Sequence, residues 1–583
     1  MHYSSASFSG LTDASGQFEY KAGEQITFAL GNIPLGEVSA VAQIPLYTLL
    51  SSRYSLPQSE RELRSALRAP SYSAVYSQLQ DKQERIWQSS AGDVHQVANT
   101  VRLLLSLDSD RDASNGLDLI TGNWNTVLGT ELGLDLTIPL ESFAEQKSIL
   151  QLQQQETLPS LAMRPSDSLS LLYASAGVDL PAQVRLGGRP GVGTTVWDYE
   201  YSTAGEVVAI NTTVSGGASR TEKAYDSSGN LTRYQHASGA DHDSYNNLDE
   251  LVVTYNAFGM RSSETTTKTV NNVTTRETLK EYAYLDDRVR LSEVTESING
   301  NANVDRIFEF RSADRYTYNS NGDLSQVSLF ELADTESEKS RSVLTYNSEG
   351  LERINDYYYS MDPVKTRVSD FWASTREDGS SVYSSRIEGD DDEMPGTAQY
   401  YSELTETVDT LGRLIERKVA ITPKSGNNAI RVYKVLYEYD DSGRFSRCEI
   451  SGFLSEYYAN QGAPKYYAEE QEASYLNGLL TEVVTRRDTT GDGATDTETA
   501  TAYSLGDDGE LLSYGYVGEG QLPVKVFTYG QLTDRALTAA DGVRYLVEDY
   551  LENKRSPLDK SAVAEPGRRA GDHCYINPFR FSN

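Results

Sequence analysis

The chain has 583 residues, with 52 Lys and Arg against 85 Asp and Glu, for a formal charge of -33. A surface this acidic repels nucleic acid and anionic lipid, so nucleic acid is excluded as a partner. Hydrophobic residues make up 38%, and tyrosine outnumbers phenylalanine 39 to 14, a balance that suits sheets whose rings pack on one side while their hydroxyls stay wet.

The start, "MHYSSASFSGLTDASGQFEY", reads as the middle of a strand pattern. The expectation is an exported protein whose export signal, or lipid anchor, lies on a missing N-terminus. Residues 1–50 place Phe18, Tyr20, Ile26, Phe28 and Leu30 between glycines, which predicts short hairpins. Helix signals follow. "PQSERELRSALRA" opens on Pro57, and "SAVYSQLQDKQERIWQSS" and "DVHQVANTVRLLLSL" carry i, i+3, i+4 apolar spacing. Leu140–Gln155 is a further helix candidate. No apolar run approaches the ~20 residues of a membrane-spanning helix. Cys448 and Cys574 are the two cysteines. They rule out a zinc ribbon or a disulfide scaffold, and Cys574 is expected as a free, exposed thiol.

The Gly/Pro-rich segment Arg185–Thr195 marks a boundary. Beyond it, turn residues recur at Gly205, Gly229, Gly259, Arg288, Gly322, Gly350, Gly379, Gly412, Gly443, Gly478 and Gly509, spaced 24 to 35 residues apart. A tyrosine stands four residues earlier at Tyr201, Tyr225, Tyr255, Tyr284, Tyr318, Tyr346 and Tyr439. A period near 30 signals a repeat array. Each unit has room for two strands and two turns, with glycine supplying the positive φ of the turn.

The segments "YEYDDSGRF" (437–445), "YTYNSNGDL" (316–324), "YDSSGNLTRY" (225–234) and "YEYSTAGEVV" (199–208) resemble the YD repeat of bacterial RHS-like proteins. That resemblance spans about residues 195–515. It implies a long spiralling antiparallel sheet, a hollow shell around a toxin in large members, and carbohydrate binding in some repeats. The copies here are degenerate, and no self-cleaving core or toxin module is visible, so an open, curled sheet is expected. Residues 8–145 resemble a module of exported bacterial surface proteins and lipoproteins, in which a β segment leads to a helix ending in an Asp-rich loop.

Two such loops are candidate calcium sites. In "DTTGDGATD", Asp488, Thr490, Asp492 and Asp496 occupy positions 1, 3, 5 and 9 of a calcium loop, with Gly493 at the turn. Thr499 at position 12 excludes a full EF-hand. In "DSDRDASNGLD" the candidates are Asp108, Asp110, Asp112 and Asp118. "EGDDDE" (388–393) reads as an exposed, mutually repelling loop. His236 and His242 lie close in "QHASGADHD", where a polar loop is the expectation. His95 falls in a helical pattern and is expected packed or on the surface. No GxSxG, HExxH, P-loop or GxGxxG motif is present.

The fold expected is mainly β: an N-terminal α+β module over 1–165, a linker over 166–195, a curled YD-like repeat sheet over 196–550 and a disordered tail over 551–583, with a β-propeller as the alternative. The function expected is a non-enzymatic cell-surface, secreted or periplasmic scaffold with carbohydrate or cell-envelope components as partners and calcium as cofactor. The alternatives are a shell or delivery component of an RHS-type toxin and a carbohydrate-active propeller enzyme.

Overall fold

The computed structural model describes residues 1–552 apart from internal stretches, the longest being 77–84, 109–133, 153–160, 300–309, 390–399, 424–430, 454–465, 518–524 and 531–538. The N-terminal part builds a four-stranded sheet from β1 (His2–Ser5), β2 (Ser9–Leu11), β3 (Gln25–Leu30) and β4 (Ile33–Ser39). Helices α1 (Leu46–Ser51), α2 (Glu60–Arg68), α3 (Asp93–Ser106) and α4 (Pro165–Ala176) follow. Helix α4 starts on Pro165 and stops where Gly177 takes a left-handed φ of 65°, as proline at the first turn and glycine past the last both favour.

Between α2 and α3 lies the hairpin β5 (Pro70–Tyr76) and β6 (Arg85–Ala91), where a helix was expected. Its register sets Val75 opposite Ile86 and Ala74 opposite Trp87. Of the helix expected at Leu140–Gln155, a 3₁₀ turn appears at Phe143–Glu145.

The remaining strands form one closed barrel of 24, from β7 (Val184–Pro190) to β30 (Lys525–Gly530). Sequence neighbours pair antiparallel throughout, and β30 pairs back onto β7. This corrects the expected open, curled repeat sheet and its propeller alternative: among the described residues the strands close into one ring rather than into a spiral or separate blades. Closure satisfies the edge N–H and C=O groups that an open sheet leaves unpaired.

The expected boundaries shift with it. The segment taken as a linker, 166–195, holds most of α4 and all of β7, and the stretch 196–550 ends in helix α5 (Ala539–Glu552). Helix α5 returns to the N-terminal module. Val543, Leu546, Val547 and Leu551 share one core with Leu35, Leu50, Leu63, Val97, Leu104, Leu169 and Tyr173. Each such side chain, fully buried, contributes about 1.5–3 kcal/mol. The chain therefore leaves the module, builds the barrel and re-enters the module. Residues 553–583, including Cys574, lie outside the described residues.

The repeat has a structural meaning. At Tyr201, Tyr225, Tyr255, Tyr284, Tyr318, Tyr346 and Tyr439 the strand register shifts. The hydroxyls of Tyr255, Tyr284, Tyr318, Tyr346 and Tyr439 donate to the backbone carbonyls of Leu231, Arg261, Leu291, Leu324 and Leu414 at 2.6–2.9 Å. Each ring thus closes the bulge at the end of a strand onto its neighbour. The following turn repeats one pattern, as in Gly205 N–H to Ser202 O (3.1 Å) and Gly259 N–H to Asn256 O (3.0 Å), with φ of 87° and 75° at the two glycines.

Candidate functional site: the rim and wall of the barrel

Because side chains alternate along a strand, the registers sort the wall into two faces. One face carries arginine–glutamate ladders. Arg447 bonds Glu438 (2.8 Å), Glu449 (3.2 Å) and Glu470 (2.6 Å), and Arg486 bonds Glu472 (2.6 Å) and Glu498 (2.8 Å). Arg315 ties Glu293 (2.6 Å) to Glu336 (2.5 Å). The other face carries the tyrosines and a small apolar patch of Val435, Cys448, Ile450 and Val483. The tyrosine face is charged as well: Arg417 pairs with Glu406 at 2.6 Å and Arg487 with Glu469 at 2.7 Å. A lipid-facing wall needs one uninterrupted apolar face, and both faces here carry mid-strand charge.

A barrel of eight strands is filled by its own side chains, whereas 16–18 strands leave an aqueous channel. At roughly 4.8 Å per strand and ordinary tilt, 24 strands give a wall roughly 40–50 Å across.

The helical module meets this wall at one rim, at the turns that carry the repeat. The Arg164 guanidinium pairs with Glu206 at 2.6 Å and donates to the backbone carbonyls of Asp226 (2.6 Å) and Ser227 (3.2 Å). Arg61 donates to the Asp507 carbonyl at 3.3 Å. A methyl group at Gly478 would meet Ser65 Oγ at 2.0 Å, and one at Gly509 would meet Arg61 Cγ at 3.2 Å.

A group of charged side chains is packed where β7 meets α2 and α5. Asp549 bonds Arg185 at 3.3 Å and Arg64 at 3.2 Å, and Arg64 holds Glu60 at 2.7 Å. Burial by itself would lower the Arg64 guanidinium, but Asp549 and Glu60 outweigh it and the net shift is upward. Burial raises the Glu60 carboxyl, Arg64 opposes this, and Asp508 and Glu510 add to the rise. Burial and Asp549 together push the Tyr545 hydroxyl up, so it stays protonated and able to donate.

The predicted calcium residues fall as follows. Asp488 ends β27 (Leu479–Asp488) and Asp496 precedes β28 (Thr497–Leu505). Their carboxylates converge on one backbone amide, Thr490 N–H, at 3.1 and 3.0 Å, and Asp488 also accepts from Gly493 N–H at 2.9 Å. Asp492 turns instead to Ala494 N–H at 2.8 Å. The loop is built as a self-bonded hairpin tip. Asp108 is buried at the end of α3, and Asp110, Asp112 and Asp118 lie outside the described residues. Among the described residues, no group of three or more His, Cys, Asp or Glu side chains is placed to hold a metal ion.

His95 is packed: its Nε2 lies 3.0 Å from the Leu67 carbonyl, and its Nδ1 accepts from Leu140 N–H at 3.2 Å. His236 lies 3.0 Å from Thr221 Oγ1 beside an open cavity of about 500 Å³; His242 lies outside the described residues. Of "EGDDDE", Glu388 and Gly389 end strand β21 (Ser381–Gly389), and the rest is outside the described residues.

Sequence reasoning missed Arg185, Tyr545 and Asp549. The signal for the last two was present, because Val543, Leu546, Val547 and Tyr550 are spaced as one helical face.

No protein-family model matches the chain, and no curated protein sequence matches it. Among solved structures it is similar to a porin-like protein from Bacteroides uniformis, at 13% identity and a TM-score of 0.21, over 48% of this chain and 95% of that one. A TM-score that low carries neither fold nor function across. The closed wall itself is what overturns the expected functions. The YD-type carbohydrate-binding surface scaffold and the RHS-type toxin shell rested on a curled repeat sheet, and the carbohydrate-active enzyme on a bladed propeller; none survives the 24-strand closure.

Proposed function

We propose that the chain is a non-enzymatic aqueous channel of the bacterial cell envelope, passing water and polar solutes through its barrel, with the helical module governing one mouth. The observation that carries this is the closed 24-strand wall, too wide for its side chains to fill. Charge on both faces supports a wall bathed in water on both sides. The envelope setting rests on the resemblance of residues 8–145 to modules of exported surface proteins. Small-angle scattering of the purified chain without detergent tests the reading. A hollow-cylinder profile whose interior takes up sucrose contrast is expected, and a filled-particle profile overturns it.

A second reading, a pore through lipid, is favoured by strand length. Strands such as β12 (Tyr245–Tyr255, 11 residues) and β23 (Leu414–Pro423, 10 residues) are long enough to cross a bilayer. The arginine–glutamate ladders count against it. Flotation with liposomes and stepwise conductance in a planar bilayer would favour this second reading over the first.

A further inference from the structure

The wall is not evenly sealed. Among the described residues, neighbouring barrel strands elsewhere share ladders of five to nine registered pairs, as in β12 with β13 (Arg261–Val270). Two joints are far shorter. Strand β7 meets β8 (Val196–Tyr201) only through Gly187 with Asp198 and Gly188 with Trp197. Strand β29 (Leu511–Tyr516) meets β30, among the described residues, only through Ser513 with Val526 and Tyr514 with Lys525. Between those joints, β30 and β7 are well paired from Lys525 with Pro190 to Gly530 with Val184. They form a two-stranded ribbon, fastened to the rest of the wall by two pairs on either side.

Both short joints leave the ribbon unladdered toward the rim that carries the helices. There β7 runs through Val184–Leu186 beside Tyr199–Tyr201 without registered pairs. Helix α5 supplies the missing bonds. The Arg185 N–H donates to the Tyr545 hydroxyl at 2.9 Å, the Tyr545 hydroxyl donates to that of Tyr201 at 3.2 Å, and the Tyr201 hydroxyl donates back to the Arg185 carbonyl. The Arg185 side chain packs over Phe527 at 5.0 Å and reaches Asp549 of α5. A cavity of about 160 Å³ opens along the same seam, lined by Leu186, Gly187, Gly188, Trp197 and Asp198.

We propose that the β30–β7 ribbon is a lateral gate in the barrel wall, latched shut by Tyr545 and Asp549 of α5 and opening between β7 and β8. The proposal rests on the channel reading for what passes, water and polar solute, but its geometry stands on the ladder lengths alone. Releasing the latch frees the rim half of the ribbon while Gly187–Asp198 and Tyr514–Lys525 act as its hinges.

Native-state hydrogen exchange on the full chain tests it, comparing wild type with Tyr545→Phe and Asp549→Asn. Expected is a rise of about ten- to a hundredfold in the exchange of Val184–Leu186, Tyr199–Tyr201 and Phe527–Gly530, the cost of losing one or two bridging bonds. The hairpin of β16 (Phe310–Tyr318) and β17 (Leu324–Leu332), remote in the strand order, should keep its protection. Unchanged ribbon exchange in both variants, or an equal rise throughout the wall in both, overturns the gate. A filled scattering profile with ribbon-confined exchange would instead overturn the channel and leave the gate standing.

Discussion

Asp549, eleven residues into the last helix, reaches Arg185 in the first strand of the barrel at 3.3 Å, joining the segment that opens the wall to the segment that follows its closure. The same carboxylate holds Arg64 at 3.2 Å, and Arg64 is 3% exposed. Removing it leaves the buried Arg64 guanidinium and the partly buried Arg185 guanidinium without their shared partner. Asp549→Ala should therefore destabilise the folded chain by about 3–5 kcal/mol, the usual result of orphaning a buried charge. Denaturant titration by circular dichroism checks this, and a loss below about 1 kcal/mol would show that Arg64 is satisfied by Glu60 alone.

The rim tyrosines predict a graded series. Tyr255, Tyr284, Tyr318 and Tyr346 each donate one bond to the first carbonyl of a neighbouring strand. Each Tyr→Phe change should cost about 0.5–1.5 kcal/mol. Sites two strands apart share no partner, so a double change should cost the sum of the singles. A double variant no weaker than one single would refute independent bulge closure.

Glu60 predicts a pH dependence of definite sign. Burial raises its folded pKa above the unfolded value, with Arg64 opposing and Asp508 and Glu510 adding to the rise. A group raised on folding stabilises most below its unfolded pKa, and that contribution fades as pH rises through the folded value. Unfolding midpoints measured from the ordinary carboxylate range upward should fall through that window. Glu60→Gln should flatten the fall; an unchanged slope would assign it elsewhere.

The hairpin tip at Thr490 predicts a local effect. Asp488 accepts from the backbone amides of Thr490 and Gly493, so Asp488→Ala should cost about 0.5–1.5 kcal/mol, because Gly493 N–H loses its carboxylate while Thr490 N–H keeps Asp496. Both carboxylates at Thr490 N–H are already engaged, while a calcium ion wants six to eight oxygens. Melting temperature should be unchanged by excess calcium. A calcium-dependent rise that Asp492→Ala abolishes would restore the metal loop.

The repeat was legible because two physical needs recur at fixed spacing. A turn with positive φ needs Gly205 or Gly259, and the bulge before it needs a ring with a hydroxyl, Tyr201 or Tyr255. What stayed hidden is closure. The pairing of Val184 with Gly530 joins residues far apart in sequence, and no local pattern announces it. Arg185 sat in a Gly/Pro-rich stretch that reads as a linker, because glycines there serve close strand contact: a methyl at Gly188 would meet the Trp197 ring at 2.5 Å. Helix α5 was concealed differently, its apolar face absorbed into the repeat texture before it. Of the candidate site, the acidic tip was visible as charge, but its use as an amide acceptor depends on where the backbone turns.

The re-entry of α5 into the N-terminal core sets an order of events during synthesis. Val543, Leu546 and Leu551 are needed to complete a core whose other members include Ile26 and Leu50. A nascent chain must keep that apolar surface uncovered while hundreds of residues of wall emerge from the ribosome. Such long-range closure is slow and exposed to misassembly. Premature termination anywhere before Ala539 would therefore yield not a shorter barrel but a chain whose helical module lacks its last wall, and whose fate is set by chaperones and proteases.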